Sequence, residues 1–226
     1  MLELNHSFAT RVAEWKLRGR PKQNGMDWRS EPWIKVFPGY KDFLQNLELR
    51  NLGYLDRGLI REIAQDPSSD REVLQSFLAV MIWGYADNPL GPKRIARFFN
   101  RPEAQEDIVA SSRLLKLGRL TDAYEKLVSI RYLGPAFATK FLYFAAPENL
   151  TLTPVILDAL VANAMKRWGK FEINSINATS AQYLTFLEVI SKASQHFEVE
   201  MDELEFILFS EEAKVRVNQS WANRAS

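Results

Sequence analysis

The chain has 226 residues, 46% of them hydrophobic and 25% charged, with a formal net charge of +1. That is the profile of a soluble globular protein with chain enough for one or two domains. There is no cysteine, and His6 and His196 are the two histidines; this excludes disulfides, cysteine-ligated zinc, iron–sulfur clusters and a cysteine nucleophile, and argues against a multi-histidine metal centre. A near-neutral total argues against a simple polycation and leaves room for a local basic patch.

Residues 1–45 are rich in aromatics (Trp15, Trp28, Trp33, Phe37, Tyr40) and cut by Pro21, Gly25, Pro32, Pro38 and Gly39, so they read as irregular chain with one short helix at 7–18. From about residue 51 the text is helical. Leu55–Gln65 is amphipathic, and Ser69 or Asp70 caps a helix to Trp83 with Val73, Phe77, Val80 and Met81 at helical spacing. DNPLGP at 87–92 is a loop. Lys93–Asn100 follows as a short basic helix. Pro102 opens a helix to Leu117 that Gly118 ends, and Thr121 caps Asp122–Ile130. Ala136–Ala145 is helical, Pro154 leads into a helix through Trp168, and helices at 179–197 and 201–213 follow, the last anchored by Phe206, Ile207, Leu208 and Phe209. Period-two alternation is scarce, so the expected class is all-α. The expected domains are a 1–60 extension packing on the core, a 61–213 core and a 214–226 tail. No apolar leader opens the chain, and the apolar run Phe77–Trp83 is far shorter than the roughly 20 residues of a membrane helix; a cytoplasmic protein without membrane contact is expected.

The informative segment is 123–169. Two helices flank the turn Tyr132-Leu133-Gly134-Pro135. Glycine there permits a positive φ and close backbone approach, and the second helix opens with unpaired N–H groups suited to a phosphate. LGPAFATKFLYFA followed by ILDALV resembles the helix-hairpin-helix DNA glycosylases, and most of all a bacterial branch related to 8-oxoguanine DNA glycosylases. The Trp83–Arg94 segment and Asp202–Ser210 look like the same branch, so the resemblance spans roughly 70–212, with 1–60 outside it.

The resemblance implies a helix-hairpin-helix glycosylase fold with its active site in a cleft between two helical subdomains. It implies a monomer acting on double-stranded DNA that carries a modified base. That base would be flipped out and its N-glycosidic bond hydrolysed, leaving an abasic site. An oxidised purine in repair, or a modified base of phage DNA in antiviral defence, would be the substrate. No cofactor is implied beyond a monovalent or divalent cation at the hairpin, and no metal-ligating residues.

The family's aspartate falls on Asp158, the one ionised side chain between Glu148 and Lys166. Its implied role is to stabilise the oxocarbenium-like sugar and orient the nucleophile; a helix N-cap is the plainer reading, and the two are compatible. Members with lyase activity carry a lysine near the start of the second hairpin helix. Counting from Gly134, that position is Ala136, which puts associated AP-lyase chemistry in doubt. Lys140 lies one turn on, with Thr139 and Tyr143 along the same stripe. Burial would lower its pKa and favour a nucleophilic amine; a snorkelling or phosphate-binding lysine is the alternative.

Between 91 and 140 there are 10 basic residues against 5 acidic ones, a local net of +5, while 198–212 holds seven acids and no base. Lys93, Arg94 and Arg97 are the expected contacts to the DNA backbone, and Arg131, Tyr132, Leu133, Gly134, Pro135 and Ala136 the DNA-binding hairpin. Ordinary solvated helix faces are the alternative. Trp83, Tyr85, Phe137 and Tyr143 are the expected base-pocket aromatics, each with a core role as its alternative. Two other functions compete: a non-catalytic hairpin module that grips phosphates, and a helical interaction protein working through its acidic C-terminal segment.

Overall fold

A computed structural model describes residues 6–86 and 88–222. Its helices are α1 (His6–Leu17), α2 (Glu31–Ile34), α3 (Lys41–Arg50), α4 (Arg57–Ala64), α5 (Asp70–Tyr85), α6 (Gly91–Phe99), α7 (Pro102–Lys116), α8 (Leu120–Ser129), α9 (Pro135–Ala145), α10 (Ala159–Gly169), α11 (Ser180–Phe197) and α12 (Met201–Ala222). A two-residue antiparallel ribbon, β1 (Met26–Asp27) with β2 (Tyr54–Leu55), is the one sheet among the described residues. The fold class is all-α, as expected.

The chain folds as two compact units, 23–151 and 1–22 with 152–226. These boundaries fall elsewhere than the divisions expected near 60 and 213. Residues 23–60 are built into the first unit, and 214–222 continue α12. The first 60 residues are also more regular than expected. Aromatic residues order them: Trp33 stacks on Phe37 at 6.1 Å, and Phe37 meets Phe99 edge-on at 5.6 Å. Proline and glycine interrupt local helix, but burial of large rings compensates.

In the unit 23–151, α5 is the centre. The Ser69 hydroxyl caps it by accepting from Glu72 N at 3.3 Å, and the residues from Phe77 to Ile82 are fully buried. Helices α4, α6, α7 and α9 pack around it. Helix α7 ends at Gly118, whose φ of +75° lets Arg119 N–H reach back to the Leu114 carbonyl at 2.9 Å. Thr121 is not the cap of the following helix: α8 starts a residue earlier, at Leu120, and has no side-chain cap. Packing against α7 sets its start instead.

In the other unit α12 is central, touching α1, α10 and α11. A capping box of Thr179 and Gln182 opens α11. Of the four anchors expected on α12, Ile207 and Leu208 are buried, while Phe206 and Phe209 are half-buried; Leu204 is fully buried in their place. The acidic stretch is tied down internally. Glu205, Glu211 and Glu212 are buried, Arg11 and Lys214 pair with Glu211, Arg167 holds Glu212 at 2.8 Å, and Arg20 holds Glu203 at 3.0 Å. Part of the acidic segment is thus engaged with basic residues of its own unit, while Glu198 and Glu200 are exposed.

Candidate active site and DNA-binding surface

Asp158 heads α10. Its backbone is extended, and Oδ1 accepts from Leu160 N at 2.9 Å and Val161 N at 3.0 Å. The preceding Val155, Ile156 and Leu157 are buried, and Tyr183 anchors that strand-like stretch by donating its hydroxyl to the Val155 carbonyl at 2.9 Å. The residue is half-buried, and its side chain satisfies two of the N–H groups that the first turn of α10 leaves unpaired. The cap reading thus holds, and it fixes the side chain in one rotamer at the end of a rigid segment.

Lys140 sits in α9, which is apolar nearly all round: Thr139, Lys140 and Tyr143, the stripe expected to be its polar side, are buried with the rest. The lysine is 8% exposed. Its stem runs past Gly84 of α5, where an added Cβ would stand 3.0 Å from Lys140 Cδ and 2.8 Å from Phe137 Cε1. Its Nζ lies 5.4 Å from the Phe137 ring centroid and donates to the Ala136 carbonyl at 3.5 Å. A larger residue at position 84 would require the Phe137 ring to shift and the Lys140 stem to give way slightly.

The hairpin turn departs from expectation in one respect. Gly134 has φ −85° and ψ 167°, the extended N-cap of α9, and the positive φ falls on Tyr132 at 78°. A tyrosine in that region is costly, by about 1–3 kcal/mol. The neighbours over-determine it: Leu133 is buried and its N–H donates to the Ile130 carbonyl at 3.0 Å, while the Arg101 guanidinium donates to the Arg131 carbonyl at 3.3 Å. The result is a tyrosine ring 56% exposed, with Arg131 at 4.8 Å and Arg97 at 5.8 Å from its centroid. Pro135 takes the first helical position of α9, where its missing N–H is harmless.

On α6, Ile95, Phe98 and Phe99 are buried while Lys93, Arg94 and Arg97 are exposed. Among the described residues no carboxylate is within ion-pair distance of these three, of Arg101 or of Arg131. Arg113, Lys116, Arg119 and Lys126, by contrast, pair with Asp70, Asp66, Asp122 and Asp107. The basic stretch therefore resolves into a paired half on α7 and α8 and an unpaired half at α6 and the hairpin.

The four expected pocket aromatics separate into two pairs. Tyr85 and Phe137 are half-buried and stack at 4.4 Å with 22° between planes. Burial raises the Tyr85 pKa, against the opposing pull of Arg94, to which it is hydrogen-bonded, and Arg97. Trp83 and Tyr143 are buried against Phe144, at 4.9 and 4.8 Å. Arg57 of α4 lies over both, 5.5 Å from Trp83 and 5.1 Å from Tyr143, and Arg61 is 4.7 Å from Tyr143. These two arginines carry no signal in the sequence, because cation–π contact across α4 and α9 is a tertiary pairing. Among the described residues no three His, Asp or Glu side chains gather where they could hold a metal ion, and no helix is long and apolar enough to cross a membrane.

A family described as "Putative 8-oxoguanine DNA glycosylase OGG-like protein" matches residues 19–209. The chain belongs to this glycosylase family. The match takes in Asp158, Lys140, the hairpin and α6. It also begins some 50 residues before the resemblance seen in the sequence, so the aromatic segment 19–69 lies within the family match. Neither the curated proteins nor the solved structures provide a match to the chain.

Proposed function

We propose that this member of the glycosylase family excises an oxidised purine from double-stranded DNA as a monomer in the cytoplasm. The observation that carries the reading is Asp158: a lone carboxylate fixed by two backbone N–H groups at the head of α10, in a chain of glycosylase lineage. The unpaired cations of α6 and the hairpin grip phosphates. The damaged nucleotide is extruded from the stack, and Tyr85 and Phe137 offer it an aromatic face.

As the C1′–N9 bond breaks, the electron pair leaves with the purine. Positive charge develops on the sugar, and the Asp158 carboxylate opposes it. Water adds at C1′, and its proton passes through Asp158 to the departing base. Lys140 is the residue for the alternative amine route, in which Nζ attacks C1′ and a Schiff base precedes strand cleavage. Its position one turn beyond Ala136 weighs against that use.

Asp158→Asn tests the reading. Asparagine retains an oxygen for the cap, so folding and DNA affinity should persist. Base release should fall by about 100-fold or more. Unchanged release would sink the assignment, and DNA binding without release from any oxidised, deaminated, alkylated or phage-type modified base would favour the hairpin as a simple binding module. Borohydride trapping of a covalent DNA complex, lost in Lys140→Ala, would establish the amine route.

A further inference from the structure

Tyr132, in the turn between α8 and α9, has a backbone torsion that belongs to glycine. Its φ is 78°. Among the described residues, the other non-glycine residues with positive φ lie between 51° and 55°, and the glycines with positive φ between 75° and 79°. Side chains avoid this region because Cβ crowds the neighbouring carbonyl oxygen. A glycine would make the same turn without the clash.

The reversal of the chain does not call for a tyrosine. It is anchored by the burial of Leu133, by the bond from Leu133 N–H to the Ile130 carbonyl at 3.0 Å, and by Pro135 at the start of α9. None of these uses the side chain at 132. Burial does not offset the strain either, since the tyrosine is 56% exposed. A tyrosine at a glycine torsion, with its ring in solvent, points to a task for the ring.

The ring meets two cations. The Arg131 guanidinium carbon lies 4.8 Å from its centroid and that of Arg97 5.8 Å. Arg131 is the preceding residue of the turn and Arg97 stands on the exposed face of α6, so the ring ties the hairpin to the basic helix. A second link runs the same way: Arg101, between α6 and α7, donates to the Arg131 carbonyl at 3.3 Å and fixes the backbone from which Arg131 projects. A guanidinium held over a ring keeps its N–H groups in its own plane, where they still donate to phosphate oxygens.

We propose that Tyr132 is a positioning residue for DNA: its ring holds the guanidinium groups of Arg97 and Arg131 in place before DNA arrives, and the strained turn is kept for that purpose. A flexible arginine gives up rotamer freedom when it grips a phosphate, and one already held over a ring has lost part of that freedom beforehand. The proposal rests on the DNA-binding part of the proposed function and is independent of base release.

The test compares full-length wild type, Tyr132→Gly, Tyr132→Phe and Arg97→Gln by thermal unfolding and by binding to an undamaged duplex across a salt series. Tyr132→Gly should unfold at the wild-type temperature or a few degrees above it, because the strain is relieved. It should bind duplex about tenfold more weakly, because two arginines must then be ordered on binding. Its salt slope should stay near that of wild type, since the same phosphates are neutralised, whereas Arg97→Gln should lower the slope by about one. Tyr132→Phe keeps the ring and should restore stability and affinity to within about twofold of wild type.

Four results would each overturn the proposal. The first is Tyr132→Gly binding as tightly as wild type. The second is a lower unfolding temperature in that variant, which makes the ring a support of the fold. The third is a salt slope lowered as far as in Arg97→Gln, which makes the tyrosine part of the contact itself. The fourth is an equal loss in Tyr132→Phe, which assigns the role to the hydroxyl. Wild type that fails to bind duplex refutes the DNA-binding reading and the role of the ring with it, whereas equal binding by wild type and Tyr132→Gly refutes the role of the ring alone.

Discussion

Gly84 shows how one residue sets the geometry around a functional candidate. Helix propensity alone says that alanine at this mid-helix position would stabilise α5 by about 1 kcal/mol. The tertiary contacts say the opposite, since the new methyl would meet the Phe137 ring at 2.8 Å and the Lys140 stem at 3.0 Å. Overpacking of this kind costs about 1–3 kcal/mol. Gly84→Ala should therefore leave the protein no more stable, or less stable by up to about 2 kcal/mol, in denaturant unfolding. It should also reduce base release by displacing Phe137 and Lys140. A gain near 1 kcal/mol would mean that α9 yields freely. The same lesson applies to Asp158, where one carboxylate serves as helix cap and candidate catalyst; the sequence could not separate these roles, and the structure shows that the cap geometry is what immobilises the side chain.

Helix α6 and the hairpin act as elements more than as single residues. Lys93, Arg94 and Arg97 share one exposed face, because the buried Ile95, Phe98 and Phe99 take the other at helical spacing. If each cation meets one phosphate, changing all three to glutamine should flatten the dependence of log affinity on log salt by about three units, nearly one per contact. Changing Arg113, Lys116 and Arg119, which are already paired with carboxylates, should alter the slope much less. Binding titrations between low and moderate salt distinguish the two outcomes; equal effects would return α6 to the status of an ordinary solvated face. The hairpin was legible as an element but not in its torsions. Gly134 drew attention as the residue free to adopt positive φ, yet Tyr132 adopts it, because burial of Leu133 and the start of α9 dictate where the chain must reverse.

At the scale of the whole molecule, charge is the property most changed by folding. A +1 total conceals a basic stretch and an acidic one, and each is then partly neutralised inside its own unit. Burial alone would raise the Glu211 pKa, but hydrogen bonds and charge from Lys214 and Arg11 outweigh it and hold the carboxyl below its ordinary value. A carboxylate with a lowered folded-state pKa stabilises the native state above the unfolded value of about 4.3. That contribution is lost as pH falls through the lower, folded value. The thermal unfolding temperature should therefore fall as pH drops below about 4.3, and Glu211→Gln should be less stable at neutral pH but lose less on acidification. An equally steep loss in the variant would show that other carboxylates govern the acid limb.

The sequence by itself determined the helical class, most helix boundaries, the position of the hairpin and the candidacy of Asp158. The first three rest on local signals (capping residues, helical spacing, and Gly and Pro placed at turns), and the candidacy of Asp158 rests on the resemblance of the hairpin and ILDALV to the glycosylases. The segment 19–69 was not legible, because its order comes from aromatic burial, such as Trp33 on Phe37 and Phe37 on Phe99, between residues whose local text reads as broken chain. Tertiary structure alone decided that α9 is buried on its polar stripe, that Arg57 lies over Trp83 and Tyr143 and Arg61 over Tyr143, and that Arg113, Lys116, Arg119 and Lys126 pair with carboxylates. Each of these depends on which distant side chains share a low-dielectric contact, and periodicity along the chain carries no information about that.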